Sequence, residues 1–191
     1  MPSSPNKRVA LDLQPVVKGS LLELRPLRAT DFDDLFAVAA DPLIWEQHPD
    51  KDRCKEDHFR VFFRQAVESG GALIAIDASS GRIIGSSRYH AYDEEKSEVE
   101  IGWTFLARSH WGGRHNGEMK RLMLEHAFTC VERVVFLVGV GNRRSQRAVE
   151  KIGATRVGER ADAHGRESYV FALDKATFRT LAARATPSAA R

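Results

Sequence analysis

The segment WGGRHNGEMKRLMLEHAF, residues 111–128, constrains the fold more than any other part of the sequence. It places three glycines, at positions 112, 113 and 117, immediately before a helical apolar pattern. A strand-like stretch, SEVEIGWTF over 97–105, precedes it, and the apolar run RVVFLVGV over 133–140 follows it. The order strand, glycine-rich loop, helix, strand predicts a βαβ unit, so the strands at 97–105 and 133–140 should be parallel.

Hydrophobic periodicity along the rest of the chain predicts one α/β domain over residues 15–174, with flexible or peripheral ends at 1–14 and 175–191. The predicted strands are 21–27, the hairpin ALIAID and RIIGSSRYHAY around ASSG, and a last hairpin turning at 163–165. Three further helices are predicted. The first has Thr30 as its N-cap, and the second begins at about residue 54 and carries an apolar stripe of Phe59, Phe62, Phe63 and Ala66. The third is short and runs from Asn142 to Ile152.

Two strands carry a more detailed prediction. Alternation puts Val99, Ile101, Trp103 and Phe105 on one face of the strand at 97–105, and Glu98, Glu100, Gly102 and Thr104 on the other. The unbroken apolar run at 133–140 is typical of a strand buried on both faces.

Composition excludes several classes of protein. The chain has 191 residues, 42% of them hydrophobic and 29% charged, which is ordinary for a water-soluble globular protein. Its net charge of +3 is too small to argue for nucleic-acid binding. No apolar run reaches the roughly 20 residues that span a bilayer, and the start lacks the apolar core of a secretory signal. Two cysteines form no disulfide framework, so a cytoplasmic location is expected.

The glycine cluster has two interpretations of similar weight. Gly112, Gly113 and Gly117 could let the free N–H groups of a helix start converge on the oxygens of an anion, with Asn116 as helix cap and Arg114 as a nearby cation. The same residues could instead make only a tight turn between strand and helix.

The start of the helix at 142–152 favours an anion. Arg143 and Arg144 lie in its first turn, where the helix dipole disfavours cations unless an anion lies nearby. Asn142 is a good N-cap. Ser145 shares an inward stripe with Ala148, Val149 and Ile152, whereas Arg143, Arg144 and Arg147 should point mostly outward.

Other known motifs do not fit. GVGNRR lacks the third glycine of a dinucleotide fingerprint, and no P-loop lysine motif is present. The seven histidines show no zinc-ligand spacing and the cysteines stand alone, so no metal site is expected. Cys130 falls on the apolar stripe Met119, Leu122, Met123, Ala127 and is expected in the core.

Three segments, EVEIGWTF, WGGRHNGEMKRLMLEHAF and NRRSQRAVEKIGA, in this order and at these separations, resemble the GNAT superfamily of acetyl-CoA-dependent N-acetyltransferases. The likeness covers about residues 15–174 and is strongest to the branch of the ribosomal-protein-alanine acetyltransferases. It implies an α/β fold with a mixed, mostly antiparallel sheet flanked by helices. It also implies that this sheet is splayed between the strands at 97–105 and 133–140, with the cofactor's pantetheine arm in the gap.

The resemblance implies a set of acetyl-CoA contacts around the glycine loop and the two helix starts. They are Phe105, Leu106, Ala107, Gly112, Gly113, Arg114, His115, Asn116, Gly117, Asn142 and Ser145. The chain departs from the family pattern at two of its positions. Arg114 stands where the usual loop has a glycine, and Val149 stands where many members carry the tyrosine that protonates the leaving thiolate. Ser145 is the candidate to replace that tyrosine.

The implied reaction is direct acetyl transfer from acetyl-CoA to a primary amine, on a protein N-terminus or a small molecule, by a monomer or homodimer. Glu100, Ser145 and Asn142 form the expected catalytic set, because a protonated amine cannot attack until a base such as Glu100 removes its proton. A main-chain N–H near Leu106 would polarise the thioester oxygen. The candidate acceptor pocket consists of Trp45, His48, Tyr89 and Trp103. Two alternatives are a CoA-binding module without catalysis and, on the basis of the pI near 9.0, a ribosome-associated or nucleic-acid-binding protein.

Overall fold

Eight strands form one sheet in the order β1-β2-β3-β4-β5-β6-β8-β7 in the computed structural model, which describes residues 10–161 and 165–185. The strands are β1 Val17–Lys18, β2 Leu22–Pro26, β3 Ala72–Asp77, β4 Ile83–Asp93, β5 Glu98–Leu106, β6 Arg133–Gly139, β7 Thr155–Ala161 and β8 Glu167–Asp174. Neighbouring strands are antiparallel except β5 and β6, which are parallel as predicted. The mixed α/β fold class expected from the sequence is therefore confirmed.

Within the described ranges, five α-helices flank the sheet: α1 Phe32–Ala39, α2 Glu56–Glu68, α3 His115–Ala127, α4 Arg143–Lys151 and α5 Lys175–Ala185. In α2 the predicted stripe of Phe59, Phe62, Phe63 and Ala66 is buried. None of the helices within the described residues is long and apolar enough to span a bilayer.

The sheet separates two apolar clusters. The larger one packs α3, through Met119, Met123 and Ala127, against the inner residues of β2, β4, β5 and β6. The smaller one packs α1 and α2 against the other face of the sheet, with Trp45 and Phe105 among its members. Strands β3, β4 and β5 thus contribute residues to both clusters, whereas β6 contributes only to the larger one.

Such an opening exists between β5 and β6. Only three residue pairs join these strands: Glu98 with Arg133, Val99 with Val134, and Glu100 with Val135. Beyond Glu100, β5 continues to Leu106 beside β4, and β6 continues to Gly139 beside β8. The two strands therefore diverge into a wedge that begins at Glu100.

The prediction that one face of β5 carries Val99, Ile101, Trp103 and Phe105 is wrong. Val99 and Ile101 belong to the larger cluster, whereas Trp103 and Phe105 lie against the smaller one. A β-bulge shifts the register between β4 and β5, and Trp103 has φ of 51°. An inserted residue reverses the alternation of faces, and a sequence pattern of period two does not reveal where that happens.

The predicted burial of β6 on both faces is also wrong. Its burial alternates, because Val134, Phe136 and Val138 face the larger cluster while Val135 and Leu137 stay partly exposed.

Three further expectations about element ends have different outcomes. Thr30 is not an N-cap, since it lies inside a 3₁₀ turn, Ala29–Asp31, that precedes α1. Residues 1–14 are not wholly peripheral, because Leu11 is 6% exposed within the larger cluster. The predicted hairpin of β7 and β8 is present, but residues 162–164, which include most of its 163–165 turn, lie outside the described part of the chain.

Candidate active site

Two connected cavities lie along the wedge. The loop cavity, about 620 Å³, opens at the glycine-rich loop between β5 and α3 and is walled by residues including Phe105, Leu106 and Trp111. The inner cavity, about 560 Å³, lies between β5 and β6 and includes Glu100 and Lys120. The cavities share the walls Trp45, His48, Thr104, Asn142, Ser145 and Ala148. The two cavities therefore adjoin each other, and Glu100 lies in the wall of the inner one.

The glycine loop is shaped to leave its backbone uncovered. Gly112 has φ of +69°, a left-handed conformation that glycine adopts without strain. A Cβ added at Gly112 or Gly117 would meet no atom within 4 Å, and one at Gly113 would meet only His110 O and His115 Nδ1 at 3.9 Å. All three glycines line the loop cavity. A side chain at these positions would project into free space that a ligand can fill.

The start of α3 has unsatisfied donors beside that loop. Arg114 is the N-cap and makes no side-chain capping bond, so Asn116, in the first turn, is not the predicted cap. The one acidic residue of the first turn, Glu118, instead accepts hydrogen bonds from Leu21 N at 2.7 Å and Leu22 N at 3.0 Å. Free N–H groups at a helix N-terminus attract anions such as a pyrophosphate.

Most predicted cofactor contacts line the loop cavity, but two do not. Phe105, Leu106, Arg114, Asn116, Asn142 and Ser145 are in its wall with the three glycines. The wall excludes Ala107, whose N–H is bonded to Ile84 O at 2.8 Å, and His115, whose Nε2 lies 3.3 Å from Asp77 Oδ1.

The start of α4 forms the opposite wall. Asn142 is its N-cap, as predicted, and accepts a hydrogen bond from Ser145 N at 3.1 Å. Ser145 lines both cavities. Arg144 does not point outward: its guanidinium donates to Ile44 O at 2.7 Å and lies 4.0 Å from the centre of the Trp111 ring. These contacts offset the unfavourable position of Arg144 in the helix dipole and fix one side of the loop cavity.

Glu100 lies where the wedge begins. Its side chain reaches the inner cavity although the residue is only 8% exposed. A Cβ at Gly102 would come within 3.2 Å of Glu100 Oε1, so the glycine leaves room for the carboxylate. Burial raises the pKa of this carboxyl to about 7, opposed by the charges of Arg160 and Arg88. A carboxylate that titrates near neutral pH is well matched to general-base catalysis.

Lys120 is a residue of the cavity that the sequence analysis missed. It lies on α3, is 5% exposed, and its ammonium donates to Thr104 Oγ1 and, at 3.4 Å, to Ser87 Oγ. Burial lowers the pKa of Lys120 to about 7. The helical spacing of the segment MKRLML could have predicted this burial, since residue 120 lies one helical turn before the buried Leu124.

Three of the four residues predicted for the acceptor pocket lie at the inner cavity. Trp45, His48 and Trp103 line the inner cavity. Tyr89 does not: it is 1% exposed, belongs to the larger cluster and donates to Met123 O at 2.7 Å. His48 is held as an acceptor from Asp50 N at 2.9 Å, and burial lowers its pKa to about 4, so it is neutral at pH 7.

The inner cavity has an excess of positive charge. Arg53, Arg160 and Arg166 are in its wall, and Glu100 is the one carboxylate among the described residues that line it. Arg53 donates to Asp50 Oδ2 at 3.0 Å, outside that wall. Among the described residues of this wall, positive side chains therefore outnumber negative ones.

The chain is similar to known acetyltransferases. The family described as "Acetyltransferase (GNAT) domain" matches residues 22–155. A protein of known structure assigned as an acetyltransferase is 28% identical, with a TM-score of 0.74 over 88% of this chain and 91% of that one. A second, from T. thermophilus, is 27% identical, with a TM-score of 0.71 over 90% and 97%.

A GCN5-related N-acetyltransferase from Brucella melitensis, 19% identical, shares the fold with a TM-score of 0.78 over 91% of this chain and 86% of that one. No curated protein sequence matches the chain. The family match covers more than half of the chain, over the wedge, the glycine loop and the start of α4. The protein belongs to the GNAT family and is an acetyl-CoA-dependent N-acetyltransferase.

Proposed function

We propose that this protein acetylates a primary amine that carries a negatively charged group, with Glu100 as the general base. The observation that supports catalysis is the position of Glu100: a buried carboxylate with a pKa of about 7 lies where β5 and β6 separate, at the inner end of two connected cavities. A CoA-binding module without catalysis has no need for a carboxylate in that place.

The loop cavity is proposed as the acetyl-CoA site. The uncovered glycines and the free N–H groups at the start of α3 suit the pyrophosphate. Bound acetyl-CoA supplies the activated acetyl group. The N–H of Leu106, at the end of β5, is the proposed donor to the thioester oxygen, and Asn142 holds the start of α4 against the same site.

Besides the base Glu100, two residues are proposed as candidate proton donors. Glu100 takes the proton that the attacking amine must lose. The leaving thiolate needs a proton in return, and Val149, in the inner wall, cannot donate one. Ser145 lines both cavities and is one candidate donor; Lys120, with its pKa near 7, is the second.

The charge of the inner cavity supports the choice of acceptor. Two proteins of known structure and low identity are named for their acceptors: a spermidine N-acetyltransferase chimera, 16% identical, and a ribosomal-protein-serine acetyltransferase from Vibrio cholerae, 13% identical. At these identities both show a shared fold alone. A polycation such as spermidine would meet the arginines of the wall, and like charges brought together cost several kcal/mol.

Paired acceptors test this proposal. γ-Aminobutyrate and putrescine share a four-carbon chain and one amine, but the far end is a carboxylate in the first and an ammonium in the second. We expect kcat/KM for γ-aminobutyrate to exceed that for putrescine by about 10-fold or more, measured by release of the free thiol of CoA. In the Arg160→Gln variant, the ratio of kcat/KM for γ-aminobutyrate to kcat/KM for putrescine should be smaller than in the wild type. The proposed acceptor class would be contradicted if the enzyme acetylated neither of these compounds nor a peptide with an acidic N-terminus. A preference for spermidine would show that the cavity selects cationic acceptors instead.

Gly113→Val should weaken acetyl-CoA binding by about 10-fold or more, because its side chain would occupy the space into which the loop backbone faces. The fold should persist, since the new Cβ meets nothing closer than 3.9 Å. Titration calorimetry with acetyl-CoA measures the affinity. Gly158→Val is the matched control, because a Cβ there also meets nothing within 4 Å and Gly158 lines neither cavity. Equal affinities in the two variants would place the cofactor elsewhere.

A further inference from the structure

Asp77, His110 and His115 form a second cluster of side chains beside the loop cavity. Asp77 ends β3, His110 ends the 3₁₀ turn Arg108–His110, and His115 begins α3. His115 Nε2 lies 3.3 Å and His110 Nε2 lies 4.0 Å from the same oxygen, Asp77 Oδ1. One donor atom from each of the three residues lies within 4.8 Å of the other two. Two imidazole nitrogens therefore converge on one carboxylate oxygen.

The surrounding contacts hold the carboxylate in a fixed orientation. Asp77 Oδ2 accepts from Ser79 Oγ at 2.6 Å, Ser80 Oγ at 2.7 Å and Ser80 N at 2.9 Å. These donors use Oδ2 completely and leave Oδ1 facing the histidines. They also hold the pKa of Asp77 well below its usual range, so the carboxylate is ionised.

His110 presents its Nε2 atom toward the same carboxylate oxygen. Its Nδ1 lies 3.0 Å from Ser109 Oγ, and its Nε2 is beyond hydrogen-bond distance of Asp77. When Nδ1–H donates to that hydroxyl, Nε2 presents a bare lone pair toward a carboxylate oxygen. In that tautomer both lone pairs can bind one cation, whereas in the other tautomer Nδ1 accepts from the hydroxyl and Nε2–H faces the carboxylate.

We propose that Asp77, His110 and His115 bind a divalent transition-metal ion, with Zn²⁺ as the preferred ion. Two imidazoles and a carboxylate are a common zinc donor set, and a fourth position would be left for water. Zinc–nitrogen bonds of about 2.0–2.1 Å in a tetrahedral site separate the ligand atoms by about 3.3 Å. The pair of His115 and Asp77 already has this separation, His110 Nε2 lies 4.0 Å from Asp77 Oδ1, and all three ligand atoms lie within 4.8 Å of one another, so binding would draw the His110 side chain inward. The three side chains are 9–22% exposed, so the ion has an entry path.

The ion would hold both ends of the glycine loop. Residues 111–114, which include Gly112 and Gly113, lie between His110 and His115, and the third ligand anchors them to the end of β3. A zinc ion here stabilises the loop whether or not a cofactor is bound. Zinc binding can thus be tested without measuring acetyl transfer, and its failure would leave the proposed reaction untouched.

The test is zinc binding by the full, untagged chain after treatment with a chelator. Equilibrium dialysis against Zn²⁺ and elemental analysis should show one bound ion per chain, and added Zn²⁺ should raise the melting temperature. His110→Ala and His115→Ala should each weaken zinc affinity by more than about 100-fold, beyond the 10–100-fold that loss of an outer hydrogen-bond partner costs. His58→Ala removes an exposed histidine of α2 and should bind zinc as the wild type does.

Melting curves without zinc establish that each variant is folded, and His110→Gln provides a second variant that keeps a polar side chain in the turn. If the wild type takes up no zinc in about 10-fold excess, or if the variants at positions 110 and 115 bind zinc as His58→Ala does, the proposed site does not exist.

Discussion

Glu100→Gln should lower kcat by about 10²–10⁴-fold, the usual contribution of a general base, while acetyl-CoA affinity stays within a few fold of wild type. Glutamine keeps the shape of the side chain in the space beside Gly102 but cannot take a proton. In the wild type, kcat/KM should rise with pH through about 7, where Glu100 ionises. This rise should disappear from the residual activity of the variant. Thiol release measured across about pH 6–9 gives both results.

The stability of the Glu100→Gln variant distinguishes a loss of catalysis from a loss of structure. Burial raises the pKa of Glu100 from 4.5 to about 7, so the folded state binds more protons than the unfolded state between these values. The free energy of unfolding therefore falls as pH rises from 4.5 to 7, and ionised Glu100 costs on the order of 3 kcal/mol above that range. Glu100→Gln removes this cost, so at pH 8 the variant should melt no lower than wild type.

The same experiment includes two control variants and one further test variant. Glu98→Gln changes the same residue type on the same strand, but Glu98 lies beside Arg133 with Oε2 3.5 Å from its Nε. Its kcat should be near wild type. Ser145→Ala should reduce kcat with little change in cofactor affinity, whereas Ser168→Ala, in the same inner wall, should not. A Glu100→Gln enzyme with wild-type rates at every pH would make Glu100 a structural residue of β5.

Lys120→Met should raise the melting temperature by about 5 °C or more at pH 7 and lower kcat at the same time. The Lys120 pKa falls from 10.5 in the unfolded chain to about 7 in the folded one, so the unfolded state binds more protons between these values. The free energy of unfolding of the wild type thus increases as pH rises from 7 to 10.5. At pH 7 the shifted pKa of Lys120 lowers the free energy of unfolding of the wild type by about 4 kcal/mol. Methionine fills similar space without a charge and removes this cost.

The surrounding hydroxyls tolerate this change. Ser87 Oγ and Thr104 Oγ1 lie 2.8 Å apart and also reach Gly102 O at 3.3 and 3.4 Å, so neither loses its last partner. Melting curves of both proteins at several pH values test the slope, and Lys51→Met is the control, because Lys51 is exposed in the 3₁₀ turn Lys51–Cys54 and lines neither cavity. A lower melting temperature for Lys120→Met would contradict the destabilising role of the buried amine. Unchanged kcat would remove Lys120 from the proposed proton donors and leave Ser145.

Local patterns determined most of the fold. Helical spacing of apolar residues predicted the start of α2 within about two residues and placed a helix after the glycine loop, where α3 lies, because burial of one helix face depends on neighbours three and four positions away. The cap at Asn142 was predictable for the same reason: an N-cap acts on N–H groups two or three residues further on. The parallel pairing of β5 and β6 followed from the length and chemistry of the segment between them.

Tertiary structure alone decided the features that shape the cavities. The bulge at Trp103 depends on how β4 pairs with β5, and it moves Trp103 and Phe105 to the opposite face from Val99. Tyr89, chosen for its residue type, was assigned to the acceptor pocket, but packing against α3 puts it in the core. The pKa values of Glu100 and Lys120 depend on how completely other elements bury them, which no property of their neighbours in sequence records.

The cluster of Asp77, His110 and His115 shows the same division. His110 and His115 are five positions apart in sequence, but Asp77 precedes His110 by 33 positions. Contact between β3 and the start of α3 depends on the order of strands in the sheet, and only the folded chain brings this carboxylate to the histidines. The sequence by itself determined which residue types border the glycine loop, and the tertiary structure decided which of their atoms meet, because those contacts are made between segments that are distant along the chain.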